Sequence, residues 1–243
     1  MTRKEVKPYG RDDKSKKEEV AQMFDNISGR YDFLNHFLSV GIDKIWRRKA
    51  VKMLRDIQPR RMLDLATGTG DFAIECLKLD PDEVIGIDIS EGMLEVGRKK
   101  MESRGVDKIV SMRLGDSEAL PFEDGYFDAF TVGFGVRNYE NLEKGLAEML
   151  RVLRPEGKGI ILEFSKPKIF PIKQYYAFHS KYIIPFFGKR ISKDSKAYEY
   201  LPESVAAFPE GKDFEDILKK VGYRNVQSKR VGGGIATIYS GVK

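Results

Sequence analysis

The sequence predicts an α/β protein built on a doubly wound, seven-stranded, mostly parallel sheet. Short apolar runs alternate with helical patterns between residues 60 and 164, which is typical of parallel strands joined by crossover helices. The first run leads through a glycine turn, residues 64–71, directly into a helix. The last two runs are joined by Gly232-Gly233-Gly234, and so short a connection makes those two strands antiparallel.

The N-terminal part contains no convincing strand. Residues 1–17 are polar and charged and are predicted to be a flexible tail. Residues 18–59 have apolar positions at helical spacing, interrupted at Ser28-Gly29, with Asp43 as a candidate N-cap of the last helix. We expect these helices to form a cover over the sheet.

The rest of the chain follows the alternation with one interruption. Residues 60–164 carry five strands, and residues 210–243 carry a closing helix and the antiparallel hairpin. Between them, residues 165–209 are dense in phenylalanine and tyrosine and break the pattern. The predicted strands are 62–65, 83–88, 109–114, 128–132, 159–164, 226–231 and 236–242. We predict a single domain over residues 1–243.

The glycine turn after the first strand admits two ligands. Its spacing, Gly68-x-Gly70-x-x-Ala73, matches the fingerprint that binds the pyrophosphate of NAD. However, Asp71 at the first helical position would repel a pyrophosphate, whereas a cationic ligand would tolerate Asp64 and Asp71 and could bind one of them, for which we predict Asp64. S-adenosylmethionine carries a sulfonium and an ammonium and no phosphate, so the local charge favours it over NAD.

Acidic residues also follow the next two strands. Asp88 lies 18 positions after Gly70, close to where an acid binds the ribose of an adenosine cofactor. Asp116-Ser117 follows the third strand. One such acid is usually a helix cap, but three at one sheet edge favour a ligand site. Thr67 and the turn at Gly68 would then meet the amino-acid end of the donor, Asp88 the ribose, and Asp116-Ser117 the adenine.

Composition limits the other classes of function. The net charge of +6 suits an anionic partner, either nucleic acid or an acidic membrane surface, or a plain solvated basic surface. One cysteine and two histidines exclude a disulfide framework and a histidine-rich metal site, and we expect no metal. Residues 1–7 lack the apolar core of a signal peptide and no run is long enough to span a membrane, so a cytoplasmic location is expected.

Several motifs resemble those of the menaquinone/ubiquinone biosynthesis C-methyltransferases. The resemblance extends from about residue 18 to the C-terminus and is carried by residues 24–32, 43–48, 64–71, 119–122, 134–138, 162–167 and 198–209. It implies a Rossmann-like class I methyltransferase that uses S-adenosylmethionine, with donor contacts at Thr67, Asp88 and Asp116-Ser117. A serine that contacts the donor in some members is replaced by Gly133 in this chain, so this contact is expected from backbone only.

The resemblance also implies a quinol as the methyl acceptor. Methylation of a ring carbon needs stabilisation of phenolate charge, and the permanently charged fork of Arg137 suits this task, with Asn138 orienting the same oxygen. The alternative is that Arg137 pairs at the following helix and Asn138 caps it. Tyr31 and Tyr200 are predicted to contact the substrate, although core packing of Tyr31 is an equal alternative.

The expected reaction is methylation of demethylmenaquinol to menaquinol, with 2-methoxy-6-polyprenyl-1,4-benzoquinol as the alternative acceptor. Because a polyprenyl quinol resides in lipid, the aromatic, lysine-rich segment 165–209 predicts peripheral contact with an anionic membrane. RNA methylation is a distant alternative. However, the loop from Gly133 lacks the Asn/Asp-Pro-Pro-aromatic sequence that would grip a flipped base, so a nucleic-acid partner is not expected. NAD-dependent oxidation is the other distant alternative. The sequence leaves open whether the protein forms a homodimer.

Overall fold

The computed structural model describes residues 6–38, 41–178, 182, 194 and 196–243. The middle of the predicted aromatic segment, residues 179–195 apart from 182 and 194, therefore lies outside the described residues. Within them, seven strands form one sheet in the order β3-β2-β1-β4-β5-β7-β6. The strands are β1 Arg61–Leu65, β2 Glu83–Asp88, β3 Val110–Leu114, β4 Phe127–Gly133, β5 Leu153–Phe164, β6 Arg224–Val231 and β7 Ala236–Val242.

The strand directions confirm the predicted fold class. β1 is parallel to both β2 and β4, and β4 is parallel to β5. β7 runs antiparallel to β5 and to β6, so it is the reversed strand that the glycine-rich connection predicts. The order of the strands reverses beside β1, because the chain proceeds outward to β3 and then returns to β4. Ligands of open α/β sheets bind at such a switch point, beyond the carboxyl ends of the strands.

Helices cover both faces of the sheet. The helices are α1 Lys16–Leu38, α2 Ile42–Lys52, α3 Asp71–Cys76, α4 Glu91–Arg104, α5 Leu142–Val152, α6 Ile172–Phe178, α7 Lys196–Ala207 and α8 Lys212–Val221. One apolar core joins α2, α3 and α4 to one face, and a second joins α5 and α8 to the other. β1 is buried on both sides, with Met62, Leu63 and Leu65 each 0% exposed. This double burial explains why its sequence is a continuous apolar run.

The N-terminal helices differ from the prediction. α1 is continuous through Ser28-Gly29, because Val20, Met23 and Ile27 form one buried face against α7 residues. That packing outweighs the cost of about 1 kcal/mol for glycine inside a helix. The predicted N-cap Asp43 is also wrong: α2 begins at Ile42 with Gly41 as its N-cap, and the Asp43 carboxylate pairs with Arg47 one turn later.

Residues 6–15 lie against the start of α1 and are hydrogen-bonded to it. The buried carboxylate of Glu19 accepts the backbone N–H groups of Tyr9, Gly10 and Arg11 at 2.6–3.0 Å. This part of the predicted flexible tail is therefore held by specific hydrogen bonds, and residues 1–5 lie outside the described set. α1 itself packs against α4 and against the short 3₁₀ turn Val136–Asn138. It thus crosses the edge of the sheet at which β1, β2 and β4 end.

No helix among the described residues combines the length and the apolar character that crossing a bilayer requires.

Candidate active site

The turn after β1 brings backbone into a cleft at the switch point. Ala66, Gly68 and Gly70 have φ values of 47°, 56° and 81°. The φ of Gly70 lies in a region that other side chains rarely adopt, so the turn needs glycine there for its conformation. Gly68 lines the cleft, as predicted for a residue close to the donor.

Asp64 and Thr67 lie beneath this turn and do not line the cleft. The Thr67 and Thr131 hydroxyls each donate to the Asp64 carboxylate, at 2.6 and 2.7 Å. Burial raises the pKa of Asp64 to about 6. The Thr67 backbone N–H donates to the Ile87 carbonyl at 3.1 Å, which ties the turn to β2. These hydrogen bonds fix the shape of the turn, and donor binding by Asp64 and Thr67 stays a prediction.

Asp88 ends β2 and faces the cleft. Its carboxylate accepts the backbone N–H groups of Gly68 and Ser90 at 2.8 and 2.9 Å, so it also fixes the glycine turn. Burial raises the pKa of Asp88 to about 6. A carboxylate offers about four lone-pair positions, and two backbone donors leave room for ligand hydroxyls.

Asp116 and Ser117, after β3, line the same cleft. The Asp116 carboxylate accepts the Glu118 backbone N–H at 2.8 Å and forms an ion pair with Lys17 of α1. Lys17, Glu118 and Glu140 also line the cleft, and the sequence did not indicate them. Lys17 lies at the end of the segment predicted to be a tail, and no strand-end pattern marks the two glutamates.

The loop after β4 supplies the opposite wall. Gly133, Phe134 and Gly135 line the cleft, and Phe134 has a φ of 59°, which is rare for a side chain of this size. A Cβ atom on Gly133 would lie 2.9 Å from the Phe72 ring. Phe72 therefore occupies the space that a serine side chain would need at this position, and Gly133 presents backbone alone to the cleft.

Arg137 lies beside the cleft rather than in its lining. Its Nη1 atom donates to the carboxylate of the fully buried Glu163 at 2.8 Å and to the Phe134 carbonyl. The guanidinium carbon lies 5.3 Å from the centre of the Phe164 ring. Its Nε atom is buried and has no acceptor among the described residues. One edge of the guanidinium thus pairs within the protein, with an acid of β5 and not at the following helix as the alternative predicted.

Asn138, Tyr200 and Tyr31 connect this loop to the covering helices. Asn138 lines the cleft, and its Oδ1 accepts the buried Tyr200 hydroxyl at 3.1 Å. Tyr31 lines the cleft from α1 and packs edge-on against Phe24. Burial raises the pKa of Tyr31 to about 12, and the positive charge of Arg137 opposes this increase. Burial likewise raises the pKa of Tyr200, again opposed by Arg137.

Asp71 was predicted to make the site unfavourable for a pyrophosphate, but its charge is compensated within the protein. Its carboxylate lies 3.0 Å from Lys100 and 3.5 Å from Arg47, so two cations compensate its charge, and it does not line the cleft. The acidic character of the cleft comes instead from Asp88, Asp116, Glu118 and Glu140, which face it together with Lys17. The conclusion that the cleft suits a cationic ligand therefore rests on residues of the lining.

The chain is similar to a family of known methyltransferases over almost its whole length. Residues 12–243 match the model of the ubiE/COQ5 methyltransferase family. A demethylmenaquinone methyltransferase from Bacteroides fragilis is 49% identical over 98% of this chain and 97% of its own length. A protein of that name from Porphyromonas gingivalis is 43% identical, with 94% of each chain covered. A ubiquinone/menaquinone biosynthesis C-methyltransferase from Geotalea uraniireducens is 44% identical over 94% of this chain and 97% of its own.

Solved structures share the fold at low sequence identity. A SAM-dependent methyltransferase from Thermotoga maritima superposes with a TM-score of 0.60 at 22% identity, covering 91% of this chain and 99% of its own. A SAM dependent methyltransferase from Aquifex aeolicus gives a TM-score of 0.57 at 18% identity, covering 79% of this chain and 87% of its own. With a family model that spans almost the whole sequence and relatives of more than 40% identity, the chain belongs to the ubiE/COQ5 methyltransferase family.

Proposed function

We propose that this methyltransferase transfers a methyl group from S-adenosylmethionine to a ring carbon of a polyprenyl quinol, namely demethylmenaquinol. The observation that carries the donor assignment is the acidic cleft that the glycine turn lines, with Asp88 and Asp116 at the ends of neighbouring strands. The acceptor assignment rests on the relative at 49% identity, whose name specifies demethylmenaquinone. Membership of a methyltransferase family disfavours hydride transfer with NAD.

The charge of the cleft lining suits S-adenosylmethionine. The donor supplies an activated methyl group on a sulfonium and carries no phosphate. The Asp88 carboxylate, fixed by two backbone N–H groups, would accept the ribose hydroxyls. Asp116 and Ser117 would border the adenine, with the apolar Ile89 and Met93 side chains as its walls. The positive φ of Gly68 exposes backbone to the amino-acid end of the donor.

Arg137 is the residue best suited to hold the acceptor oxygen. Its Nη1 atom is used by Glu163 and Phe134, and no acceptor for Nε or Nη2 is found in the described part of the chain. The Nε–Nη2 edge of a guanidinium presents two parallel N–H donors, which is the geometry that binds an oxyanion bidentately. This edge would stabilise the phenolate charge that develops as the ring carbon accepts the methyl group.

Asn138, Tyr200 and Tyr31 would orient the acceptor. The Tyr200 hydroxyl fixes the Asn138 side chain by donating to its Oδ1, which leaves the Nδ2 donor toward the loop and the cleft. Because burial favours the neutral form of Tyr31, its hydroxyl remains protonated at neutral pH and can donate a hydrogen bond. These groups orient an oxygen atom and supply no covalent chemistry.

Purified enzyme, S-adenosylmethionine and a short-chain demethylmenaquinol in detergent test the reaction. We expect a product heavier by one CH2 unit, identified by mass spectrometry, because the methyl group replaces the hydrogen on the ring carbon and that hydrogen leaves as a proton. Arg137→Ala should lower turnover by at least about 100-fold, the effect of removing one oxyanion donor, while the donor still binds in calorimetry. Near-normal turnover by this variant would remove Arg137 from the site.

A second acceptor is supported by a specific finding. Relatives of 44% identity are named for both ubiquinone and menaquinone biosynthesis. The same assay with 2-methoxy-6-prenyl-1,4-benzoquinol decides whether this chain accepts both ring systems. A higher kcat/KM for the benzoquinol than for demethylmenaquinol would make the benzoquinol the principal acceptor and contradict the proposal.

The acceptor's solubility in lipid supports peripheral membrane contact from the cytoplasmic side. On and before α6, Ile169, Phe170, Tyr175 and Phe178 are 55–77% exposed, and lysines lie beside them. Exposed aromatic side chains next to cations suit an anionic bilayer surface. Ile42 and Ile45 of α2 are also exposed, at 41% and 49%.

Flotation with vesicles that contain anionic lipid tests this contact. Phe170→Ser combined with Phe178→Ser should reduce the floated fraction several-fold. Leu114→Ser is the matched control, because Leu114 is equally exposed, at 59%, but ends β3, outside this surface. Wild-type protein that remains entirely in the aqueous fraction at low salt would contradict the proposal.

A further inference from the structure

Glu163 is a buried acid at the end of β5 to which the sequence assigned no role. It is 0% exposed, and its Oε1 atom accepts Arg137 Nη1 and the Phe164 backbone N–H, both at 2.8 Å. Its Oε2 atom accepts the Arg137 backbone N–H at 3.3 Å. One carboxylate therefore holds Arg137 at both its main chain and its side chain.

These contacts, with those of two phenylalanines, restrain the guanidinium on three sides. Glu163 and the Phe134 carbonyl share Nη1, and the Phe164 ring faces the guanidinium at 5.3 Å. Because the Phe164 N–H binds the same carboxylate oxygen, the ring and the acid are positioned together. With Nη1 and the plane fixed, the planar geometry of the group also fixes where the Nε–Nη2 edge lies.

The charge of Glu163 also compensates the positive charge of the buried Arg137 side chain. A buried guanidinium without a counter-charge is costly, and breaking such a pair by removing one partner destabilises a protein strongly. Burial raises the pKa of Glu163, and Arg137 opposes that increase. The pair places one compensated cation next to Tyr31 and Tyr200, both of which lie within its electrostatic reach.

We infer that Glu163 is a positioning residue for methyl transfer, which holds Arg137 so that its Nε–Nη2 edge is available to the acceptor oxygen. This inference rests on the proposed function, since it requires that Arg137 contact the acceptor. Glu163 itself touches neither substrate, because both of its oxygens are occupied by Arg137 and Phe164.

Glu163→Gln keeps the shape of the side chain and removes its charge. A displacement of about 1 Å in a catalytic group costs on the order of 100-fold in rate, so we expect kcat to fall about 100-fold. The dissociation constant of S-adenosylmethionine should change by less than about twofold, because the donor residues lie elsewhere in the cleft. Retention of more than a third of the wild-type kcat would overturn the inference.

Ser165→Ala is the matched control. Ser165 is buried two residues further along the chain, and its hydroxyl hydrogen-bonds with Gly234 and Thr237 rather than with Arg137. Loss of this buried hydrogen bond should lower the melting temperature and leave kcat within about twofold. An equal loss of kcat in both variants would show that Glu163 acts through stability alone.

A double-mutant cycle separates positioning from a general structural effect. In an Arg137→Met background, Glu163→Gln should cause little further loss of kcat, because no guanidinium remains to be positioned. The same fold loss in both backgrounds would overturn the inference. If Arg137→Met alone keeps near-normal turnover, the proposed role of Arg137 fails, which is a different result from the failure of Glu163.

Glu163→Asp provides the second variant if Glu163→Gln does not fold. It keeps the charge but withdraws the carboxylate by one methylene group, so kcat should fall while donor affinity is kept. Full kcat in this variant would overturn the inference as clearly as full kcat in Glu163→Gln.

Discussion

The ammonium of Lys17 and the carboxylate of Asp116 form an ion pair that joins α1 to the loop after β3 at the edge of the cleft. Both side chains are about 30% exposed (31% and 28%) and both line the cleft. The acid expected to border the adenine therefore has a partner from the helix that crosses the site. We therefore expect this pair to restrain entry of the donor.

Lys17→Met should accelerate both binding and release of the donor. A partly exposed ion pair contributes about 0.2–1 kcal/mol, so each rate constant should rise by no more than about fivefold. Stopped-flow fluorescence of Trp46, the single tryptophan, provides the signal. Lys220→Met is the control, since Lys220 pairs with Glu143 on the α5–α8 surface. Unchanged rate constants in Lys17→Met would show that the pair does not restrain entry.

Donor binding should weaken as the pH falls through about 6. Burial raises the pKa of Asp88 to about 6, and only the ionised carboxylate accepts two ribose hydroxyls in addition to its two backbone donors. Asp88→Asn should bind about tenfold or more weakly at pH 7.5, the effect of losing a hydrogen bond to a charged group. Isothermal calorimetry between pH 5 and 8 should show a pH-dependent affinity for the wild type and a flatter profile for Asp88→Asn. Equal slopes would remove Asp88 from the donor site.

The sequence predicted the sheet because local patterns and topology agree there. Continuous apolar runs identify buried parallel strands, and the glycine connection at 232–234 determined the reversed strand. The same strand ends placed Gly68, Asp88, Asp116 and Gly133 in one cleft, because the carboxyl ends of parallel strands meet at one edge.

What the sequence did not predict depends on contacts between distant segments. Glu19 orders residues 9–11, and Lys17 reaches Asp116 almost a hundred residues away, so neither contact leaves a local pattern. Asp71 looked like a free negative charge until folding brought Lys100 and Arg47 to it. The continuity of α1 likewise follows from tertiary packing of Met23 and Ile27, which outweighs the local signal of Gly29.

Gly133→Ser should destabilise the protein, although the family resemblance implies a serine at this position in some members. The new Cβ atom would lie 2.9 Å from Cδ1 and 3.3 Å from Cε1 of Phe72. Overpacking of this kind costs about 1–3 kcal/mol, which urea unfolding measures directly. Phe72→Leu should relieve the contact, so the double variant should be more stable than the sum of the two single effects predicts. Additive effects would show that Phe72 is not the reason for glycine at this position.

The stability of the protein should show a pH-dependent contribution from Asp64. Because burial raises the pKa of Asp64 from 3.8 to about 6, the folded state binds more protons than the unfolded chain between these two pH values. The stabilising contribution is therefore complete below about pH 4 and is lost as the pH rises through about 6.

Asp64→Asn removes this titration and keeps an acceptor oxygen for one of the Thr67 and Thr131 hydroxyls, which bind different oxygens of Asp64. The free energy of unfolding of the wild type minus that of Asp64→Asn should therefore decrease as the pH rises from 5 to 7, measured by urea denaturation.

Asp128→Asn provides the control, because the pKa of Asp128 is shifted in the opposite direction. Burial raises the pKa of Asp128, but hydrogen bonds from the Arg61 N–H and from Arg154 outweigh burial and leave that pKa below its usual value. Its contribution is lost only as the pH falls below about 4, so the Asp128→Asn difference should stay flat between pH 5 and 7. A flat difference for Asp64→Asn as well would mean that Asp64 is ionised throughout this range, and that the hydroxyls of Thr67 and Thr131 outweigh its burial.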